Sequence, residues 1–217
     1  MNNQVDYSKL RPINKTIPFV TFRVISALML REMTGSNGRI AGGYLWVIVE
    51  PVLGIAFLSA IFSTGFRTPP IGINFAIFYA SGLLPFFMFM DISNKTAQSI
   101  NHSRALLGYK RVTFFDAIIA RALLATLTQL MVGFIVFTGI LLAFETRTIL
   151  DIPRILLSYA MAISFALSIG MMNAVIMAFF PIWQRFWGVM TRPLVLISGV
   201  IFLPANIPQP YRDYLWY

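Results

Sequence analysis

The sequence predicts an all-α, polytopic helical membrane protein, and three observations carry that expectation. Of 217 residues, 58% are hydrophobic and 12% are charged, a balance that a water-soluble domain of this size could not bury in one core. Mean hydropathy is +0.74. The charges also fall so as to leave long apolar runs, and these lack the period-2 alternation of barrel strands.

The uncharged gaps set the spans. Between Arg39 and Arg67 the only charge is Glu50; Thr68–Met90, Ala122–Phe144, Ile155–Gln184 and Pro193–Tyr211 have none. At roughly 20 apolar residues per crossing, five spans are expected near Gly43–Ser63, Asn74–Asp91, Phe115–Ala143, Ile155–Phe180 and Trp183–Leu203. The chain divides accordingly into an N-terminal segment (1–42), a transmembrane domain (43–203) and a proline- and aromatic-rich tail (204–217). That leaves no room for a second soluble domain.

Orientation follows from the Lys/Arg asymmetry of the flanking segments. One side holds Lys9, Arg11, Lys15, Arg23, Arg31 and Arg39, then Lys95, Arg104, Lys110 and Arg111, then Arg185; the other holds Arg67, Arg147, Arg154 and Arg212. The N-terminus is therefore expected in the cytoplasm. The net charge of +9 becomes a record of topology rather than a sign of nucleic-acid binding. With no cysteine, disulfide frameworks, thiol nucleophiles and zinc ribbons are excluded. The first 39 residues show no cleavable leader pattern.

Within 1–42, Phe22, Ile25, Met29 and Met33 recur at helical spacing, with Arg23, Ser26 and Arg31 off that stripe. An interfacial helix fits, with Arg31 and Arg39 in reach of lipid phosphates; a helix against the base of the bundle fits equally. The polar stretch after the second span predicts a helix of its own near 93–108. Ser93 is its N-cap, Ala97, Ile100, Arg104 and Leu107 lie on one side, and Gly108 stops it. Such a helix suits docking onto a soluble partner, and also suits a solvated connector.

No catalytic constellation is present. There is no P-loop string, the single histidine, His102, has no second metal ligand nearby, and no two carboxylates share a loop. Neither cofactor nor metal is expected. Two charges inside spans stand out because each costs roughly 2.5–3.5 kcal/mol on insertion scales at the bilayer centre. Glu50 directly precedes Pro51, and Arg192 directly precedes Pro193. Both are expected to face protein or water, either lining a polar pathway or forming a structural Glu–Arg pair. Tyr44, Trp46, Trp183 and Trp187 fit headgroup anchors, or stacking platforms for sugar rings. Phe86, Phe87 and Phe89 suit packing. Pro204, Pro208 and Pro210 with Tyr211, Tyr214, Trp216 and Tyr217 predict short interfacial segments rather than a span.

These features occur in a telling order: Leu30-Arg31-Glu32, then Gly43-Tyr44-Leu45-Trp46 leading to Glu50-Pro51, Gly82-Leu83-Leu84-Pro85-Phe86-Phe87, Asn101 to Tyr109, and Ala120-Arg121-Ala122-Leu123-Leu124. With the tail from Phe202-Leu203-Pro204 to Trp216, the set resembles the membrane subunit of bacterial capsular-polysaccharide ABC exporters. O-antigen exporters are close relatives of that family.

The resemblance implies an ABC-2-type permease in the inner membrane. It would work as a homodimer with two copies of a separate ATP-binding subunit, exporting lipid-linked polysaccharide, with periplasmic or outer-membrane export proteins as further partners. It also gives Ser93–Gly108 the role of a coupling helix, with Ala97, Ile100, Arg104 and Leu107 docking the ATPase. Glu50, Arg192, Tyr44 and Trp46 would line the pathway or its gate. The sequence ends at Tyr217, where relatives continue, so a sixth span is expected to be missing from it. Thr34–Gly38 is less basic than a phosphate-binding stretch would be. Exporters of O-antigen, lipid or drugs share the pattern. An ion-coupled secondary transporter would need coupling carboxylates, for which only Glu50 offers itself, and an internal repeat, which is absent. A membrane-embedded glycosyltransferase or acyltransferase would need a surface cluster of His, Asp or Glu, also absent.

Overall fold

The computed structural model describes residues 20–36, 43–65, 69–104, 108, 112–144 and 150–198. The described residues form eight helices and no strand: α1 (Val20–Ser36), α2 (Gly43–Gly65), α3 (Phe75–Ala97), α4 (Ser99–His102), α5 (Phe114–Ala143), α6 (Ile152–Phe179), α7 (Trp183–Met190) and α8 (Leu194–Ile197). Four of them, α2, α3, α5 and α6, are long and apolar enough to cross a membrane. The 23 residues of α2 or α3 reach about 34 Å at 1.5 Å per residue, enough for the hydrocarbon layer.

Local sequence explains where these helices begin. Asn74 caps α3, its side chain accepting from the Ala76 N–H at 2.8 Å, after a bend in which Gly72 takes φ +82°. A capping box opens α5: the Asp116 N–H donates to the Thr113 hydroxyl and the Thr113 N–H donates back to the Asp116 carboxylate. Asp151 caps α6, with Pro153 in its first turn. The helices α2 and α3 run unbroken through Pro51 and Pro85.

Central to the bundle is α3, which packs on α2, α5 and α6. The core changes character along it. Tyr79, Ala80, Leu83 and Leu84 meet Ile55 of α2 and Val132, Val136 and Ile140 of α5. Further along, Met88 and Ile92 meet Ala125 of α5 and Ala166 of α6. At the far end polar side chains enter the buried set, Ser93 and Thr96 of α3, Ser99 of α4 and Asn173 of α6, beside Ala97, Ala174 and Met177.

Two expectations are corrected here. Ser93 does not open a separate loop helix: α3 continues past Asp91 to Ala97, breaks at Gln98, and restarts as the single turn α4. The reason is local. The Ser93 hydroxyl donates back to the Met90 carbonyl, and Lys95 pairs with Asp91 one turn away at 2.8 Å, so both polar side chains are satisfied on a continuing helix. The stretch Trp183–Leu203 is likewise no single helix in its described part. It divides into α7 and α8 around Thr191–Pro193, where Pro193 lacks the N–H that would continue the ladder.

Candidate functional site

The polar end of the bundle, where α1, the α3–α4 junction, the start of α5 and the end of α6 meet, carries side-chain hydrogen bonds and ion pairs that join different helices. Its centre is Glu32. One carboxylate oxygen, Oε2, lies 2.9 Å from His102 Nε2, and the other, Oε1, lies 3.2 Å from Arg121 Nε. The circuit closes through Gln98, whose carbonyl accepts from the His102 backbone N–H at 3.0 Å and from Arg121 Nη1 at 3.2 Å. Three segments distant in sequence are thus joined in one ring. Glu32 and Arg121 retain only 12% and 15% side-chain exposure, whereas His102 keeps 45%.

Local folding places each member. The capping box at Thr113–Asp116 fixes the first turn of α5 and sets Arg121 a little over one turn further on. The Gln98 carbonyl takes the His102 N–H as a helical carbonyl does, and its second lone pair accepts from Arg121 Nη1. On α1, Leu28 is buried and Glu32 follows one turn later on the same face. The apolar stripe read from the sequence is not that face: Phe22 and Met33 are 71% and 42% exposed, and Ile25 and Met29 are half-buried. The spacing signal was diluted because two apolar faces share α1, and a lone Glu32 gave no sign of its partner 89 positions away.

Beside the ring, α7 hangs from two indole donors. Trp183 Nε1 donates to Asn173 Oδ1 at 2.8 Å, and Trp187 Nε1 donates to Asn94 Oδ1 at 3.1 Å. Thr96 Oγ1, Ser99 Oγ and Asn173 Nδ2 are buried without a hydrogen-bond partner.

The residues singled out from the sequence are dispersed. Ala97 is buried, Ile100 half-buried and Arg104 exposed, while Leu107 lies outside the described residues. Glu50 and Arg192 are both exposed and no ion pair joins them. Trp46, one turn before Glu50, is 64% exposed. The side chain of Tyr44 lies outside the described set, as does Arg39; Arg31 is exposed. Among the described residues, no group of three His, Cys, Asp or Glu side chains is arranged to hold a metal ion.

No family model matches the chain. Relatives do. Over 191 residues it is 34% identical to the polysialic acid transport protein KpsM of Escherichia coli, covering 88% of this chain and 74% of the relative. Over 198 residues it is 28% identical to the capsule polysaccharide export inner-membrane protein CtrC of Neisseria meningitidis serogroup A, covering 89% and 73%. The chain belongs to the capsule-polysaccharide export inner-membrane proteins. BexB of Haemophilus influenzae, another member by name, is 28% identical over 199 residues. The likeness expected from the motif order is met at the level of this export family, and in this member of it the polar bundle end supplies the ring around Glu32.

Proposed function

We propose that the chain is the permease subunit of an ATP-driven exporter that moves lipid-linked capsular polysaccharide across the inner membrane. The observation that carries this reading is the 34% identity to a polysialic acid transport protein over 88% of the chain. Four apolar helices of spanning length support it. ATP hydrolysis belongs to a separate subunit, present in two copies, and the permease itself is a homodimer. The N-terminus and the ring around Glu32 face the cytoplasm. Support for that orientation is the excess of Lys/Arg in the segments at that end, Arg23, Arg31, Lys95 and Arg104 among them.

The exposure of Glu50 supports both a dimer and a polar pathway. A carboxylate in a span that faces lipid costs roughly 2.5–3.5 kcal/mol, so the face of α2 carrying Trp46, Glu50 and Leu53 borders a second copy or water. Arg192, exposed at the α7–α8 break, belongs to the same pathway, and so does Tyr44. The α3–α4 junction and the loop after it, with Ile100, Arg104 and Leu107, meet the ATP-binding subunit. Ala97 contributes from beneath, as a packing residue. The face of α1 that carries Arg31 lies along the inner leaflet, and Arg39 in the segment after it reaches lipid phosphates. A fifth span begins near α7, and export proteins of the periplasm or outer membrane receive the polymer.

Deletion in the native host tests the reading. Surface polysaccharide is expected to disappear while polymer accumulates inside, with recovery on re-expression. Undiminished surface polysaccharide would overturn it. For the docking surface, a variant carrying Arg104→Asp and Leu107→Asp is expected to lose co-purification with the ATP-binding subunit; undiminished assembly would overturn that part.

A further inference from the structure

We propose that Glu32 is a positioning residue for energy coupling. By dividing its two carboxylate oxygens between His102 and Arg121, it makes α1, α4 and the base of α5 move as one unit. Displacement of the α4 loop by the ATP-binding partner is then delivered to the membrane-surface helix and to a spanning helix in the same step. The inference rests on the permease reading given above.

Three observations carry it. First, the apolar grip of α1 on the bundle is thin: among its described residues only Leu28 is a buried hydrophobic, so the placement of α1 depends heavily on the next turn, where Glu32 sits. Second, the ring has no spare member. Glu32 Oε2 serves α4 through His102, Oε1 serves α5 through Arg121, and Arg121 reaches on to the Gln98 carbonyl at the junction of α3 and α4. Loss of the carboxylate charge leaves the largely buried Arg121 with only the more distant Asp91 as a counter-ion and His102 without a link to α1. Third, the ring is graded from inside to outside. Arg121 and Glu32 are mostly covered, His102 is nearly half exposed, and Arg104 two residues later is exposed, so a partner that moves the loop has a direct lever on the buried pair.

A carboxylate in contact with an arginine and a histidine on different elements transmits displacement more steeply than an apolar contact does, because such polar contacts weaken over a short distance. A purely structural ion pair would affect assembly and leave the ratio of transport to hydrolysis alone. That ratio is therefore the readout.

The test uses the full chain with its ATP-binding subunit in proteoliposomes, following ATP hydrolysis and polysaccharide export together. Glu32→Gln is expected to keep hydrolysis within about twofold of the wild type while export per ATP falls at least tenfold. His102→Asn cuts only one arm and leaves the Glu32–Arg121 pair in place, so a several-fold loss is expected. Because the chain has no cysteine, spin labels at Met33→Cys on α1 and Gly108→Cys in the loop report their separation directly. A narrow distance distribution is expected with Glu32 and a broadened one with Gln. If the wild type exports and Glu32→Gln exports equally well per ATP with an unchanged distribution, the inference is overturned and the permease reading stands. Should Glu32→Gln prevent assembly, normal export per ATP by His102→Asn overturns it. A wild-type complex that hydrolyses ATP and exports nothing would overturn the permease reading instead.

Discussion

Gly170 of α6 lies so close to Thr96 of α3 that a Cβ at position 170 would fall 2.7 Å from the Thr96 Cβ and 3.0 Å from the Ser93 carbonyl oxygen. Two of the three nearest atoms cannot rotate away, since one is backbone and one is a Cβ. Gly170→Ala is therefore expected to push α6 off α3 and to cost about 1–3 kcal/mol, the usual range for overpacking. SDS-titration unfolding in mixed micelles measures it. Gly139→Ala serves as the control: nothing lies within 4 Å of a Cβ there, so no loss of stability is expected.

Removing the indole donors of α7 one at a time is expected to give unequal effects. Trp183→Phe leaves the Oδ1 of Asn173 unpaired in a fully buried site whose Nδ2 already lacks a partner, at a cost of about 1–3 kcal/mol. Trp187→Phe uncovers Asn94, which is only half-buried and can reach water, so a smaller loss is expected. Protease cleavage near Pro181 compares the two: faster nicking in Trp187→Phe than in Trp183→Phe would reverse the ranking.

The start of α5 depends on a reciprocal pair of bonds. Thr113→Ala removes the acceptor for the Asp116 N–H and is expected to cost about 1 kcal/mol. Asp116→Ala strips the Thr113 N–H of its partner and is expected to cost a similar amount. Since the two side chains act on one helix end, the double variant is expected to lose less than the sum. A full sum in unfolding free energy would show that the box does not act as a unit.

Within the ring, burial sets the order of stability effects. Arg121→Met breaks a pair whose side chains are 12% and 15% exposed and leaves the mostly covered carboxylate with His102 alone, with an expected loss of about 2–3 kcal/mol. His102→Ala removes a contact from a side chain 45% exposed, where solvent screens the interaction; less than about 1 kcal/mol is expected. Equal losses in the same unfolding assay would show that exposure does not govern the ring.

Legibility from the sequence followed the range of each signal. Charge-free gaps located α2, α3, α5 and α6 with starts within three residues, because lipid solubility is a property of long contiguous runs. The local reading failed at Ser93, a residue type that caps helices and also sits inside them when its hydroxyl returns to a carbonyl one turn back. The expected span Trp183–Leu203 runs across Pro193, whereas α7 stops at Met190 and α8 begins at Leu194. Glu32 and Arg121 both lie in the motifs that resemble the export family, but their contact spans α1 to α5 and no local periodicity reports it. Asn94 and Trp187, 93 positions apart, escaped for the same reason.

The gradation along α3, from an apolar core near Tyr79 to a polar one near Thr96, gives the bundle two kinds of compliance. Dispersion contacts weaken gradually as surfaces slide, so the half around Tyr79 yields in proportion to the load, as a spring does. Hydrogen bonds and ion pairs lose their strength within a fraction of an ångström to an ångström of misplacement, so the other half holds its shape until several links part together, as a latch does. The end joined by Glu32, His102 and Arg121 therefore resists small displacements more steeply than the half around Tyr79.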